Sequence, residues 1–172
     1  MKEIIAIKNR DRIGILVDDE DYEELSKYRW CICNPNSNLL YAHRRSTKEE
    51  RANRYPTIVK MHRQILRLLL EPTIRVDHKN CDGLDNRREN LRIATILQNN
   101  ANTSKHSDGS SMYKGVSWDT INSKWKAQVR HKGKNYNLGR FTSEEDAAIA
   151  YNDKAKEFFG EFARLNSIKE GG

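Results

Sequence analysis

Val76-Asp77-His78, then Asp85-Asn86-Arg87-Arg88-Glu89-Asn90-Leu91-Arg92, then Gln98-Asn99-Asn100, is the stretch on which the reading of this chain turns. It sets a carboxylate beside an imidazole and follows them with carboxamides at fixed later positions, among arginines. Hydrolysis of a phosphodiester needs a base to activate water, a divalent metal to take up charge and cations to hold the backbone. Few other tasks need this set together.

The rest of the composition narrows the class. A chain of 172 residues has room for one ordinary domain or two small ones. Hydrophobic residues make up 37% and charged residues 32%, so any cores are small. No apolar run approaches the roughly 18 residues needed to cross a membrane. The N-terminus, Met1 to Lys8, has too short an apolar stretch and no small-residue cleavage site for a secretory signal. The expectation is an intracellular protein with no obligate protein partner evident. Cys31, Cys33 and Cys81 form no C-x-x-C pair, which argues against a structural zinc site and for reduced thiols. The net charge is +7, and its distribution matters more: Tyr113 to Arg140 holds 7 basic groups against one acid, Asp119. Such clustering is the footprint of a polyanion-binding face.

Period and punctuation give the organisation. Glu3–Ile7 and Arg12–Val17 read as strands around a turn at Asn9-Arg10-Asp11, with Gly14 marking a bulge. Asp18 to Lys27 reads as a short helix with acids in its first turn. Strands follow around Arg29–Cys33, Leu39–Arg44 and Thr57–Met61, separated by the Asn34-Pro35-Asn36-Ser37-Asn38 turn and a charged loop at Ser46–Arg54. His62 to Leu70 reads as helical and ends before Pro72. Thr95 and Gln98 fit a capping box, placing Asn99 near the first turn of a helix. The polar, turn-rich segment around 104–112 reads as a linker, dividing the chain into residues 1–103 and 113–172. In the second part, strands at Gly115–Trp118, Trp125–Arg130 and Tyr136–Leu138 precede a helix that Ser143 caps, with Asp146 placed to reach back. Ala147, Ala148, Tyr151, Ala155 and Phe158 form the apolar stripe of that helix. Period-two alternation sends Trp125, Ala127 and Val129 inward and Lys126, Gln128 and Arg130 outward. Trp118 and Trp125 are expected in the core.

The opening stretch, with Asn90 13 positions and Asn99 22 positions after Asp77, resembles the HNH endonuclease motif in its phage-type and intron-borne homing form. The resemblance covers about residues 55–103, and Val17-Asp18-Asp19-Glu20-Asp21-Tyr22 and Trp30 look like the usual lead-in. It implies an α+β fold in which a ββα-metal module clasps one Mg²⁺ or Mn²⁺. It also implies a nucleoid-associated place in the cytoplasm of a bacterial or phage-infected cell. Carried over, His78 is the general base, Asn90 orients it by a side-chain hydrogen bond, and Asp77 and Asn99 bind the metal through oxygen. Arg87, Arg88 and Arg92 grip phosphates. The final histidine of the motif is Asn99 here, favoured on spacing over Asn100 and Asn102. His62 is expected to be structural, and His43, His106 and His131 offer no site.

Tyr113-Lys114-Gly115-Val116, Lys124-Trp125, Leu138-Gly139-Arg140-Phe141 and Ala147 to Tyr151 together resemble the AP2-type DNA-binding domain, closing with Ala163-Arg164-Leu165-Asn166. That resemblance implies a three-stranded antiparallel sheet, backed by a helix, which reads double-stranded DNA from the major groove. Arg130 would contact guanine or phosphate and Gln128 adenine, and Lys114 and Arg140 would contact the backbone. Ser117 and Asn137 stand where plant relatives often present larger residues, so a shared target sequence does not follow. The alternative, from another class, is a non-catalytic DNA-binding regulator on an inactive HNH scaffold.

Overall fold

A computed structural model describes residues 1–36, 39–105 and 109–168, with the backbone alone at 35 and 36. His106, and the parts of the expected turn and linker at 37–38 and 107–108, lie outside the described residues. The chain is mixed α+β, built from small antiparallel sheets and short helices, and divides into two compact units, Met1–Thr95 and Ile96–Gly172.

In the first unit, β1 (Lys2–Lys8) and β2 (Asp11–Val17) form a hairpin whose two turn residues, Asn9 and Arg10, both have positive φ, 49° and 77°. That is the turn geometry that matches the twist of paired strands. The register runs unbroken through Ile5 opposite Gly14, so the bulge expected at Gly14 is absent. Alternation puts Ile4, Ala6, Ile15 and Val17 into a core shared with Leu25, Trp30, Ile32, Ala42, Met61, Ile65 and Leu91. Helix α1 (Asp19–Leu25) carries three acids in its first turn, where they complement the helix dipole. A second sheet joins β3 (Cys31–Asn36), β4 (Leu39–Arg45) and β5 (Ile58–Lys60).

Two expectations fail here for local reasons. The charged loop at Ser46–Arg54 contains helix α2 (Lys48–Ala52), because Thr47 and Glu50 form a complete capping box that the density of charge concealed. The helix expected to reach Leu70 stops early: α3 is Met61–Ile65, and Arg67 takes a positive φ of 57°. The Arg63 guanidinium donates to the carbonyls of Leu68, Glu71 and Ile74 at 2.5, 2.5 and 2.7 Å, turning the chain into the next strand instead. That strand, β6 (Arg75–His78), pairs with β7 (Leu91–Ala94).

The second unit begins with α4 (Ile96–Ala101), eight residues before the boundary drawn from sequence. Lys114 Nζ donates to the carbonyls of Ala101 and Thr103, tying the end of α4 to this unit. Strands β8 (Val116–Asp119), β9 (Lys124–His131) and β10 (Lys134–Phe141) form one antiparallel sheet, and α5 (Glu144–Phe159) packs on it. Ser143 Oγ accepts the Asp146 N–H at 3.1 Å, as its place in the sequence suggests. Ala127, Val129, Ala147, Ala148, Tyr151 and Ala155 fill the interface. Gly115 has φ +76°, and a Cβ there would stand 2.1 Å from the Tyr151 ring, so glycine is needed. Asn166 donates to the Lys114 carbonyl and accepts from its N–H, while its own backbone exchanges two bonds with the Asn152 side chain. The closing Ala163-Arg164-Leu165-Asn166 segment is thereby clasped to both sheet and helix.

Candidate active site

Asp77 and His78 are consecutive on β6, yet both are buried. Consecutive strand residues ordinarily point to opposite faces, but His78 is the last residue of β6, and the Asp77 charge acts on both the His78 imidazole and the Tyr41 hydroxyl. On the His78 side lie aromatic rings. His62 approaches edge-on with centroids 5.2 Å apart, and Tyr41 lies 5.7 Å from His78 and 6.0 Å from His62. Burial, then the charges of His78, Lys60 and Arg63, push His62 down to about 3, so it is neutral at physiological pH. Burial also lowers His78; the Asn86 carboxamide is the largest opposing influence, followed by the carboxylates of Asp77, Asp82 and Asp85. A neutral imidazole is the form a base needs.

On the Asp77 side lies Arg92. The two residues are directly opposite across β6 and β7, and Arg92 Nε and Nη2 both reach Asp77 Oδ2 at 2.8 Å.

The loop from 79 to 90 is built from Asx side chains. Asn80 Oδ1 accepts the Asp82 N–H, Asp82 Oδ1 accepts the Leu84 N–H, and Asp85 Oδ2 accepts from Asn80 Nδ2. Such residues favour turns because they replace backbone partners locally. Gly83 fits close under β4: a Cβ would meet the Leu40 carbonyl at 2.3 Å. The loop is fastened to β2 by Leu16 N to Leu84 O and Asn86 N to Leu16 O, at 2.9 and 2.8 Å. The acidic lead-in grips it from the other side. Asp18 accepts the Arg88 N–H, and Asp21 and Glu20 hold the Arg88 guanidinium.

Asp77 and His78 come together on β6. Asn90 is buried nearby, but its side chain staples the loop: Nδ2 donates to the Asp85 carbonyl and to Asn80 Oδ1, and Oδ1 accepts the Asn80 N–H. The carboxamide acting on His78 is that of Asn86, which is fully buried. Asn86 Oδ1 has no hydrogen-bond partner among the described residues, so a proton gained by His78 would supply it with a donor. Asn99 lies on α4, in the second unit. Arg87 is held by Asp85 and Glu89, Arg88 by Asp21 and Glu20, and Arg92 by Asp77. None of the three presents a bare cation, which charge counting alone suggested. Asn80, Asn86, His62 and Tyr41 were missed as members of the site. The repeated Asx residues between Asn80 and Asn90 were the available signal for the first two.

On the second unit, register defines an outer sheet face. Lys126 lies between Ser117 and Arg140, Gln128 faces Asn137, and Arg130 faces Asn135, so the alternation expected for β9 is met. Arg140 Nε donates to Asp119 Oδ2 at 2.6 Å, and this contact above all holds the Asp119 carboxyl down at about 2. The Lys114 ammonium donates to the chain's own carbonyls at Ala101, the end of α4, and at Thr103 beyond it. Trp118, expected in the core, is a correction, being 40% exposed, with its ring edge-on to Trp125 at 5.0 Å. His43 and His131 each bury an Nδ1 that has no partner among the described residues, and neither joins the site.

Comparison with known proteins bears on this arrangement. No family model matches the chain, and no solved structure matches it. It is 40% identical over 114 residues to a protein named as an uncharacterized HNH endonuclease from Acanthamoeba polyphaga mimivirus. That match takes in 64% of this chain, which spans 58% of the relative's length. It is 30% identical over 90 residues to Protein 3.8 of Escherichia phage T7, covering 52% of this chain and 74% of the phage protein. The chain therefore belongs to the family of the phage T7 Protein 3.8 and is related to a viral protein named as an HNH endonuclease.

Proposed function

We propose that the protein is a site-directed DNA endonuclease of the HNH homing type, in which the first unit cuts and the second reads. The observation that carries this is the buried imidazole of His78, held in its neutral form next to Asp77, in a chain related to a named HNH endonuclease. His78 takes the proton of the attacking water at an imidazole nitrogen. Asn86 and the surrounding carboxylates favour the imidazolium that results. His62 and Tyr41 wall the ring in and limit its orientations. Asn90 keeps the 79–90 loop closed behind the strand that carries the base.

Asp77 and, from the motif spacing, Asn99 offer a carboxylate and a carboxamide oxygen. This hard-donor chemistry fits Mg²⁺ or Mn²⁺, which are held by one or two carboxylates and retain waters. When bound, such an ion stabilises charge on the phosphate and on the leaving oxygen. Arg87, Arg88 and Arg92 would reach phosphate by exchanging their present carboxylate partners.

The outer sheet face of the second unit supports an AP2-like reader. Lys126, Gln128, Arg130 and Arg140 share one surface with Asn135 and Asn137, free of apolar side chains in its central rows. Such a β-surface suits the major groove of double-stranded DNA, with Gln128 and Arg130 toward base edges and Lys126 and Arg140 toward phosphates. One catalytic set per chain implies a nick by a monomer and a double cut by a dimer. Among the described residues no helix is long and apolar enough to cross a membrane.

The test is cleavage of supercoiled plasmid carrying a library of inserts, with Mg²⁺, with EDTA, and with His78→Ala. Metal-dependent nicking or linearisation, lost in the variant, is expected. Folded protein that shifts DNA but never cuts it would overturn the reading in favour of a regulator.

A further inference from the structure

Asp77, the carboxylate assigned above to the metal, already has a cation on it. Arg92 Nε and Nη2 converge on the single oxygen Oδ2, both at 2.8 Å, with side-chain exposures of 11% for Arg92 and 7% for Asp77. The pairing is built in by register, since the two residues face each other across β6 and β7. A guanidinium does not lose its proton at any working pH, so the local charge is balanced with no divalent ion present. A second cation arriving at Asp77 would stand within a few ångströms of that fixed positive charge, where burial leaves little water to screen the repulsion.

A phosphodiester changes this balance. Its two unesterified oxygens match the guanidinium fork as a carboxylate does, and they bring the missing negative charge. We infer that Arg92 couples metal loading to DNA binding. It holds Asp77 while DNA is absent and passes to a backbone phosphate when DNA is bound, leaving Asp77 to the divalent ion. The inference rests on the reading of Asp77 as a metal ligand. Its consequence is a nuclease that loads its metal poorly away from DNA. Arg87 and Arg88 do not serve this purpose, because their carboxylates are those of Asp85 and Glu89 and of the lead-in segment.

The test is Mn²⁺ binding to the full chain, read from the paramagnetic resonance signal of free Mn²⁺, which does not depend on turnover. Without DNA, Arg92→Gln and Arg92→Met should each bind Mn²⁺ at least about tenfold more tightly than the wild type. In EDTA, both should bind duplex DNA more weakly. Adding a short duplex in the His78→Ala background should tighten Mn²⁺ binding at least about tenfold when Arg92 is present, and much less when it is replaced. Asp77→Asn separates the two levels of the argument. If Asp77→Asn abolishes Mn²⁺ binding while neither Arg92 variant strengthens it, the coupling is wrong and the ligand assignment stands. If Mn²⁺ binding is unaffected by Asp77→Asn, or no Mn²⁺ binds in any variant with or without duplex, the ligand assignment fails and the coupling falls with it. Should both Arg92 variants lose their fold by circular dichroism, the duplex effect decides, and its absence refutes the coupling.

Discussion

Replacing Asn90 with alanine should open the 79–90 loop, and the cost can be worked from its contacts. The side chain makes three hydrogen bonds, at 3.0 Å from the Asn80 N–H, at 3.0 Å to Asn80 Oδ1 and at 2.8 Å to the Asp85 carbonyl. A hydrogen bond contributes about 1 kcal/mol net, and a buried polar group left without a partner costs about 1–3 kcal/mol. Asn80 Oδ1 keeps the Asp82 N–H, so the losses concentrate on the Asp85 carbonyl and the Asn80 amide. The expected destabilisation is about 3 kcal/mol. Asn90→Asp retains the acceptor but loses both donated bonds and sets a carboxylate against two oxygens, so it should cost as much at neutral pH and less when protonated. Urea denaturation followed by Trp30 fluorescence, with Trp118 and Trp125 replaced by Phe, would read the first unit alone. Hydrogen exchange at the Lys79 and Asn80 amides, which bond Asn90 directly, should accelerate in both variants. A change below about 0.5 kcal/mol in Asn90→Ala, with exchange unaltered, would refute the staple and return Asn90 to a direct role on His78.

Three further outcomes are expected. His62 is depressed from 6.5 to about 3, so its contribution to stability is fully present above pH 6.5 and is lost as pH falls toward 3. In that window His62→Phe should flatten the dependence of unfolding free energy on pH by about 1.4 kcal/mol per unit, and an unchanged slope in acid titrations would contradict a buried neutral ring. Glu50→Ala would leave the Arg44 guanidinium, now bonded to Glu50 at 2.5 and 2.7 Å and stacked 3.8 Å from the Tyr28 ring, buried without its counter-charge. It should cost about 3 kcal/mol, and Arg44→Met less, because removing one partner is worse than replacing the cation by an apolar chain. Replacing Lys126 or Arg140 with alanine should reduce the slope of log affinity for DNA against log salt by about one, measured by fluorescence anisotropy. A slope that does not move would take the outer sheet face out of the DNA contact.

Much of this architecture was legible because it rests on local rules. Alternation located the β1–β2 hairpin and the inward and outward faces of β9, and Ser143 announced the start of α5. The failures share a different cause. Helix α2 hid behind its own charges, although Thr47 and Glu50 were spaced as a capping box. Helix α3 ended early because the Arg63 side chain captures carbonyls up to eleven positions ahead, which no helical period encodes. Gly14 looked like a bulge because a strand glycine often is one, yet Ile5 simply pairs with it. Asp77 and His78 were visible as a pair, whereas the ring wall of Tyr41 and His62 comes from segments 37 and 16 positions before His78 in sequence.

The arginines carry this point furthest. Read along the chain, Arg87, Arg88 and Arg92 are three cations in six residues, and the natural inference is a phosphate-binding patch. Folded, all three are held in ion pairs, with different work to do. Arg88 draws the acidic lead-in onto the loop from 67 residues away, through two bonds to Asp21 of 2.7 and 2.8 Å. Arg87 and Asp85 lock the turn on which Asn90 closes. Arg92 neutralises Asp77, the carboxylate proposed as the metal ligand. A count of charges therefore gives the sign of the partner but not the state of the surface before that partner arrives. If DNA is the partner, as proposed, its phosphates must compete with built-in carboxylates for these guanidinium groups. Exchange of this kind lowers the affinity of these arginines for any polyanion, because each phosphate contact is offset by a carboxylate contact given up.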